Sequence, residues 1–112
     1  MREIKFRAYS HRAKKMYQWE DLTNEEIGDM LRNPQEEIMQ YTGLKDKNGK
    51  EIYGGDIIQS DDYDIGGKNV VEFKNGEFLQ KDDKGDYWCI SPDIFKTEIL
   101  GNIYENKDLL IK

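Results

Sequence analysis

Hydrophobic and polar positions alternate along "IKFRAY" near the N-terminus. Ile4, Phe6 and Ala8 fall on one side, and Lys5, Arg7 and Tyr9 on the other. A period of two marks a half-buried β-strand. The polar "SHRAKK" then turns the chain, and "MYQW" returns as a second strand. The period changes in "DLTNEEIGDMLRNP", where Ile27, Met30 and Leu31 share one helical face. Thr23 suits the N-cap, Glu26 completes a capping box, and Leu22 with Ile27 forms a hydrophobic staple. Asn33-Pro34 ends this helix, which is short enough to need packing against something else.

From residue 38 onward the pattern is β. "IMQYTGL", "EIYGGDIIQ", "NVVEFK", "EFLQK", "DYWCI" and "EILGNIY" read as strands between Gly, Asn and Asp clusters. "SPDIF" fits a helical turn and "DDYDIGGK" a loop. Short strands so spaced favour a small barrel or curled sheet. The expected class is mainly β with one or two short helices (α+β). Its form is a small SH3-like or otherwise curled β-barrel with an N-terminal hairpin and helix. No repeat or linker divides the chain, so residues 1–112 read as a single domain.

Two turns carry register information. In "FKNGEF" a two-residue mirror-image turn at Asn75-Gly76 pairs Lys74 with Glu77 and Phe73 with Phe78, joining opposite charges and two rings. The same turn in "KDKNGKEI" would oppose Lys47 to Lys50 and Asp46 to Glu51. A three-residue loop ending in a left-handed Gly49 instead pairs Asp46 with Lys50, Lys45 with Glu51 and Leu44 with Ile52. In "YGGDII", Gly54-Gly55 supply a sharp bend, and Asp56 can accept hydrogen bonds from backbone N–H groups there.

Composition sharpens this picture. Only 37% of the residues are hydrophobic and 36% are charged, which implies a small core under a heavily charged surface; aromatics at 12% argue against disorder. A net charge of −6 disfavours a binder of phosphate backbones. Within that acidic whole, "REIKFRAYSHRAKK" is a basic run. The single Cys89 excludes an internal disulfide and suits a reducing cytoplasm; in "DYWCI" it reads as a small buried hydrophobe. No apolar run is long enough for a membrane helix, and "MREIKFRAY" has no signal-peptide core.

Candidate chemistry is sparse. "DKNGKE" has Gly49 fourth from Asp46 and lacks the closing Glu and helical flanks of a calcium loop. Asp61, Asp62 and Asp64 read as a solvated loop. One His and one Cys do not make a transition-metal site, and no spacing singles out a carboxylate pair or a phosphate-binding loop. No metal or cofactor is expected, and no catalytic constellation stands out.

"IKFRAYSHRAKKM", "MQYTGLKDKNGKEIYGGDII" and "EILGNIYENKDLL" resemble the three signature blocks of the YopX family, small proteins encoded by bacteriophages and prophages. The resemblance spans the chain, and the middle block is the most specific. The family pattern has an acidic residue where this chain has Gly54, and often Pro where it has Lys107. Membership implies a largely β domain with a small barrel and added helical segments, no agreed catalytic residues, and a capacity to self-assemble.

The expected function is therefore that of a non-enzymatic accessory phage or prophage protein in the cytoplasm of a bacterial host. It would act by binding itself or a host or phage protein. Tyr41, Tyr53, Asp56 and Trp19 are the candidate partner contacts, with Tyr9 and Tyr17 as further rings. The alternative is nucleic-acid binding through Lys5, Arg7, Arg12, Lys14 and Lys15, or mimicry of nucleic acid by the acidic surface.

Overall fold

The computed structural model describes residues 4–32, 36–60, 67–90 and 97–110. The helix stop at Asn33-Pro34, the acidic loop from Asp61 and the "SPDIF" turn lie outside them. The fold is mainly β, with nine strands and one α-helix among the described residues. Contacts divide the chain into two units, Met1–Tyr41 and Thr42–Lys112.

In the first unit, β1 (Phe6–Ser10) forms an antiparallel hairpin with β2 (Lys15–Tyr17), pairing Ala8 with Tyr17 and Ser10 with Lys15. The Ser10 hydroxyl accepts the Ala13 N–H at 3.1 Å inside the connecting turn. The second strand stops short of the expected "MYQW", because Trp19–Asp21 forms a 3-10 turn. Trp19 packs its ring 6.2 Å from that of Phe6. The helix α1 spans Asn24–Arg32, and the Ile27 N–H reaches the Thr23 carbonyl at 3.0 Å, which sets Thr23 at the N-cap. The first half of β3 (Glu36–Lys45) pairs with β1, Ala8 opposite Ile38 and Phe6 opposite Gln40. Ala8, Tyr9, Met39 and Tyr41 are buried here. Ile4, read as inward-facing, is 68% exposed because it precedes the first paired residue of β1.

The second unit holds β4 (Glu51–Tyr53), which neighbours β3, and a five-stranded antiparallel sheet. That sheet contains β5 (Asp56–Ser60), β6 (Gly67–Lys74), β7 (Glu77–Lys81), β8 (Tyr87–Cys89) and β9 (Thr97–Asn102), in the order β8-β7-β6-β5-β9. β6 begins two residues earlier than expected, since Gly67 and Lys68 pair with Ser60 and Gln59. A bulge between Ile57 and Ile58 against β9 bends the sheet, as bulges do. Successive residues point to opposite faces of a strand, so the burial of both Ile57 and Ile58 means β5 is covered on both faces. Ile52, Ile58 and Val71 form one core cluster, with Leu44, Phe78, Ile90 and Ile99 packed around them.

The Asn75-Gly76 turn has the expected register, with Lys74 opposite Glu77 and Phe73 opposite Phe78. Asn75 and Gly76 have φ of 52° and 84°, the mirror-image turn that suits a twisted hairpin. At the bend before β5, Gly55 has φ 90°. It donates to the Val71 carbonyl at 2.8 Å and accepts the Ile103 N–H at 2.9 Å, so the bend also joins its neighbours.

After β9 the chain folds back through Asn102 and Asn106 into a 3-10 turn at Lys107–Leu110. The Asn106 Oδ1 accepts the Asn102 N–H at 3.1 Å, and the Asn102 Oδ1 accepts the N–H groups of Tyr104 and Glu105. A methyl group on Gly101 would lie 2.5 Å from the Asn106 Oδ1 and 2.9 Å from its Cβ. Gly101→Ala must therefore displace Asn106 and break its bond to the backbone. We expect a loss of about 1–3 kcal/mol, read as a fall in thermal midpoint. A midpoint within error of the parent would refute this account of the glycine.

Candidate functional site

Three of the four proposed partner contacts lie inside the fold. Tyr41, Tyr53 and Asp56 are 5%, 4% and 1% exposed. Asp56 Oδ2 accepts the Tyr53 N–H at 2.8 Å, the hydrogen bond expected of an acid at this bend. Burial takes these three side chains off the surface that a partner meets in this structure. Trp19 is half-buried against Phe6.

The basic run is drawn out along the hairpin. Lys5 and Arg7 are half-buried, with the Lys5 ammonium 5.5 Å from the Tyr41 ring centre. Arg12, Lys14 and Lys15 are exposed at the turn, and Lys15 lies 5.2 Å from the Tyr17 ring centre. A strand rises about 3.3 Å per residue, which separates Lys5 from the turn by roughly 17 Å. The run thus forms two basic places along β1 rather than one cluster. His11 lies 3.5 Å from the Glu37 carboxylate and edge-on to Tyr9.

Two loops share one construction that the sequence reading overlooked, in "DKNGK" and "DDKGD". In the first, the Asp46 N–H donates to the Lys50 carbonyl at 2.8 Å, which matches the expected pairing, and Gly49 is left-handed with φ 81°. The Asp46 carboxylate does more than face the Lys50 charge across the turn. Its Oδ1 accepts the N–H groups of Asn48 and Lys50, both at 2.9 Å, and its Oδ2 accepts the Ile99 N–H of β9 at 3.0 Å. Lys47 adds a backbone bond to Thr97 at 2.8 Å and an ion pair with Glu98 at 3.5 Å. Burial is the largest influence on the Asp46 carboxyl and opposes its ionisation. The N–H groups of Ile99, Lys50 and Asn48 and the Lys50 charge together outweigh it and hold the pKa below its ordinary value.

Asp82 repeats the arrangement between β7 and β8. Its Oδ1 accepts the N–H groups of Lys84 and Asp86, both at 2.9 Å, and Gly85 has φ 89°. Its Oδ2 accepts the Trp88 indole N–H at 2.9 Å. That indole bond is the largest influence lowering the Asp82 pKa, aided by Asp86 and Lys84 and opposed by partial burial. Both carboxylates are thus committed to holding loops. Among the described residues, no group of three His, Cys, Asp or Glu side chains is placed to hold a metal ion.

The open surface lies around β8. Among the described residues this strand has a neighbour on one side only, β7, with Gln80 opposite Trp88 and Leu79 opposite Cys89. Trp88 is 39% exposed and Phe73, across the sheet, is 59% exposed. Cys89 is exposed, not buried as "DYWCI" suggested, because an edge strand leaves apolar side chains without cover on one side. A polar ladder crosses beneath. Asn69 Nδ2 donates to Gln80 Oε1 at 2.9 Å, and Gln80 Nε2 donates to the Cys89 carbonyl at 3.0 Å.

On the other face of the sheet, Tyr87 is flanked by two lysines, with the Lys74 ammonium 3.9 Å and the Lys81 ammonium 5.8 Å from its ring centre. Its hydroxyl reaches the Glu72 carboxylate at 3.3 Å, and Lys81 approaches the same carboxylate at 4.0 Å. Beside this cluster lies a cleft of about 670 Å³, floored by Lys68, Val70, Glu72 and Lys81 and walled by Leu109 and Leu110. Among the described residues no helix is long and apolar enough to cross a membrane.

The YopX protein family matches residues 5–111 of the chain. Protein EF1440 from Enterococcus faecalis has a similar crystal structure, with TM-score 0.72 and 26% identity over 98% of this chain and 99% of that one. Protein yopX from Bacillus subtilis is similar in fold, with TM-score 0.64 and 21% identity over 97% and 98% of the two chains. No curated protein matches.

Proposed function

The chain belongs to the YopX family, and on that premise we propose that it acts by binding another protein chain through the open β8 edge. As the family resemblance implies, it is an accessory protein of a phage or prophage, working in the cytoplasm of a bacterial host. The observation that carries the binding role is the one-sided pairing of β8 among the described residues, together with the exposure of Trp88. An edge strand offers unpaired backbone groups to an extended segment, and a ring beside it supplies the anchor. The bond from the Trp88 indole to Asp82 fixes that ring in advance, which lowers the ordering cost of association. The partner is a second copy of the chain or a host or phage protein.

Capture with tagged protein from the producing bacterium tests this reading. Trp88→Ala is expected to weaken capture of the bound chain by about thirty-fold, the size of an interface hot spot. Trp88→Phe, which keeps a ring, should retain most of it. Unchanged capture by Trp88→Ala removes the edge from consideration. A monomer in sedimentation at both low and high salt would eliminate the second copy as the partner. Steeply salt-dependent binding to DNA or RNA, lost on neutralising Arg12, Lys14 and Lys15, would move the assignment to nucleic acid.

A further inference from the structure

The cleft on the Tyr87 face of β6 and β7 lies apart from the β8 edge, and its volume of about 670 Å³ falls in the range that encloses a small organic ligand. Its charges are not equally occupied. Glu72 already receives the Tyr87 hydroxyl and lies beside Lys81. Asp82 spends both oxygens on Lys84, Asp86 and Trp88. Lys68 differs: among the described residues its ammonium donates only to the Leu109 carbonyl, at 3.2 Å. An ammonium carries three N–H donors, so two remain for a ligand. Val70, Leu109 and Leu110 supply apolar surface beside it, with Leu110 40% exposed and so open to a ligand.

We infer that this cleft binds a small organic monoanion with an apolar body. Its carboxylate or sulfonate would pair with Lys68, and its apolar part would lie against Val70, Leu109 and Leu110. The charge count follows from the rest of the lining. Glu72, Asp82 and Asp83 also face the cleft, so a second negative charge meets repulsion. This selects against nucleotides and polyphosphates and favours a singly charged amphiphile. The anion replaces the Leu109 carbonyl as a partner of Lys68 or shares the ammonium with it, which couples occupancy to the turn at Lys107–Leu110.

Octanoate is a suitable probe, with 1-octanol as its uncharged counterpart, titrated into the full-length protein labelled for amide NMR. Octanoate is expected to shift the signals of Lys68, Val70, Lys81 and Leu109 and to approach saturation by about 10 mM. Octanol, and octanoate on Lys68→Gln, should each bind about five-fold more weakly, as expected for one exposed ion pair. Lys74→Gln lies outside the lining and should leave octanoate binding unchanged. Leu110→Asp, which sets a negative charge on the wall, should abolish it. Equal binding of octanol and octanoate, an unaffected Lys68→Gln variant, shifts centred elsewhere, or no shifts at all would each overturn the inference. Because Trp88 does not line the cleft, failure here leaves the β8 edge reading standing, and the reverse also holds.

Discussion

Replacing Asp46 with alanine is expected to lower the unfolding free energy by about 3–5 kcal/mol, since a buried N–H left without an acceptor costs roughly 1–3 kcal/mol. Three N–H groups in part-buried bonds lose their acceptor together: those of Asn48 and Lys50, on exposed residues, and that of Ile99. Asp46 has no exposed surface, so water cannot easily take the carboxylate's place. Against a total stability of about 5–15 kcal/mol, such a loss leaves the chain marginal. Asp46→Asn keeps one acceptor oxygen and should show a smaller deficit. Asp82→Ala removes a similar clasp from a loop open to solvent, where water can substitute, and its loss should be smaller again. Urea unfolding midpoints for the three variants provide the comparison. If Asp46→Ala is no less stable than Asp82→Ala, burial is not what gives the first clasp its weight.

Asp46 also makes stability depend on acid in a definite direction. Its pKa is lower in the fold than in the unfolded chain. The contribution is therefore fully present above the unfolded value of 3.8 and is lost as pH falls through the lower, folded value. The stability gap between the parent and Asp46→Asn should narrow over that window and stay constant at neutral pH. A gap that widens on acidification would contradict this.

Ile58→Ala is the second large effect, with an expected loss of about 2–5 kcal/mol. Ile58 is 1% exposed and sits with Ile52 and Val71 at the centre of the core, and it also flanks the bulge that bends β5. Ile58→Val removes one methylene and should cost about 0.5–1.5 kcal/mol. An unchanged denaturant slope would show that the loss comes from the folded core and not from a more compact denatured state. A loss below about 1 kcal/mol for Ile58→Ala would mean the neighbours collapse into the gap, against the packing described.

Short-range features were legible in the sequence and long-range ones were not. The Asn75-Gly76 register follows from a two-residue loop and two charges, all within a few positions, and it agrees with the structure. The Asp46–Lys50 pairing was equally local. The role of the Asp46 carboxylate depends on Ile99, 53 residues away, and no local pattern announces such a partner. The Asx-type use of Asp82 could have been read from "DDKGD", since Asp followed three residues later by Gly recurs from "DKNG"; the match between the two loops was the available signal. Cys89 was misjudged for another reason. Apolar composition indicates a strand but not whether that strand lies inside its sheet or at the edge. Tyr41 and Tyr53 illustrate the converse, because rings capable of anchoring a partner are also the best material for a small core.

The order β8-β7-β6-β5-β9 has a consequence for how the protein is made. β5 is the first strand of this sheet to leave the ribosome, and β9, which pairs beside it, is the last. At about 5–20 residues per second, several seconds separate the two. During that interval the hairpins from β5 to β7 can assemble, yet one side of β5 has no permanent neighbour and the Ile99 N–H that completes the Asp46 clasp has not emerged. The nascent chain therefore passes through a stage with an apolar, unpaired strand, Ile57 and Ile58 included, and slowed or truncated translation would lengthen it. Release of the final strand, more than any earlier step, commits this unit to its native sheet.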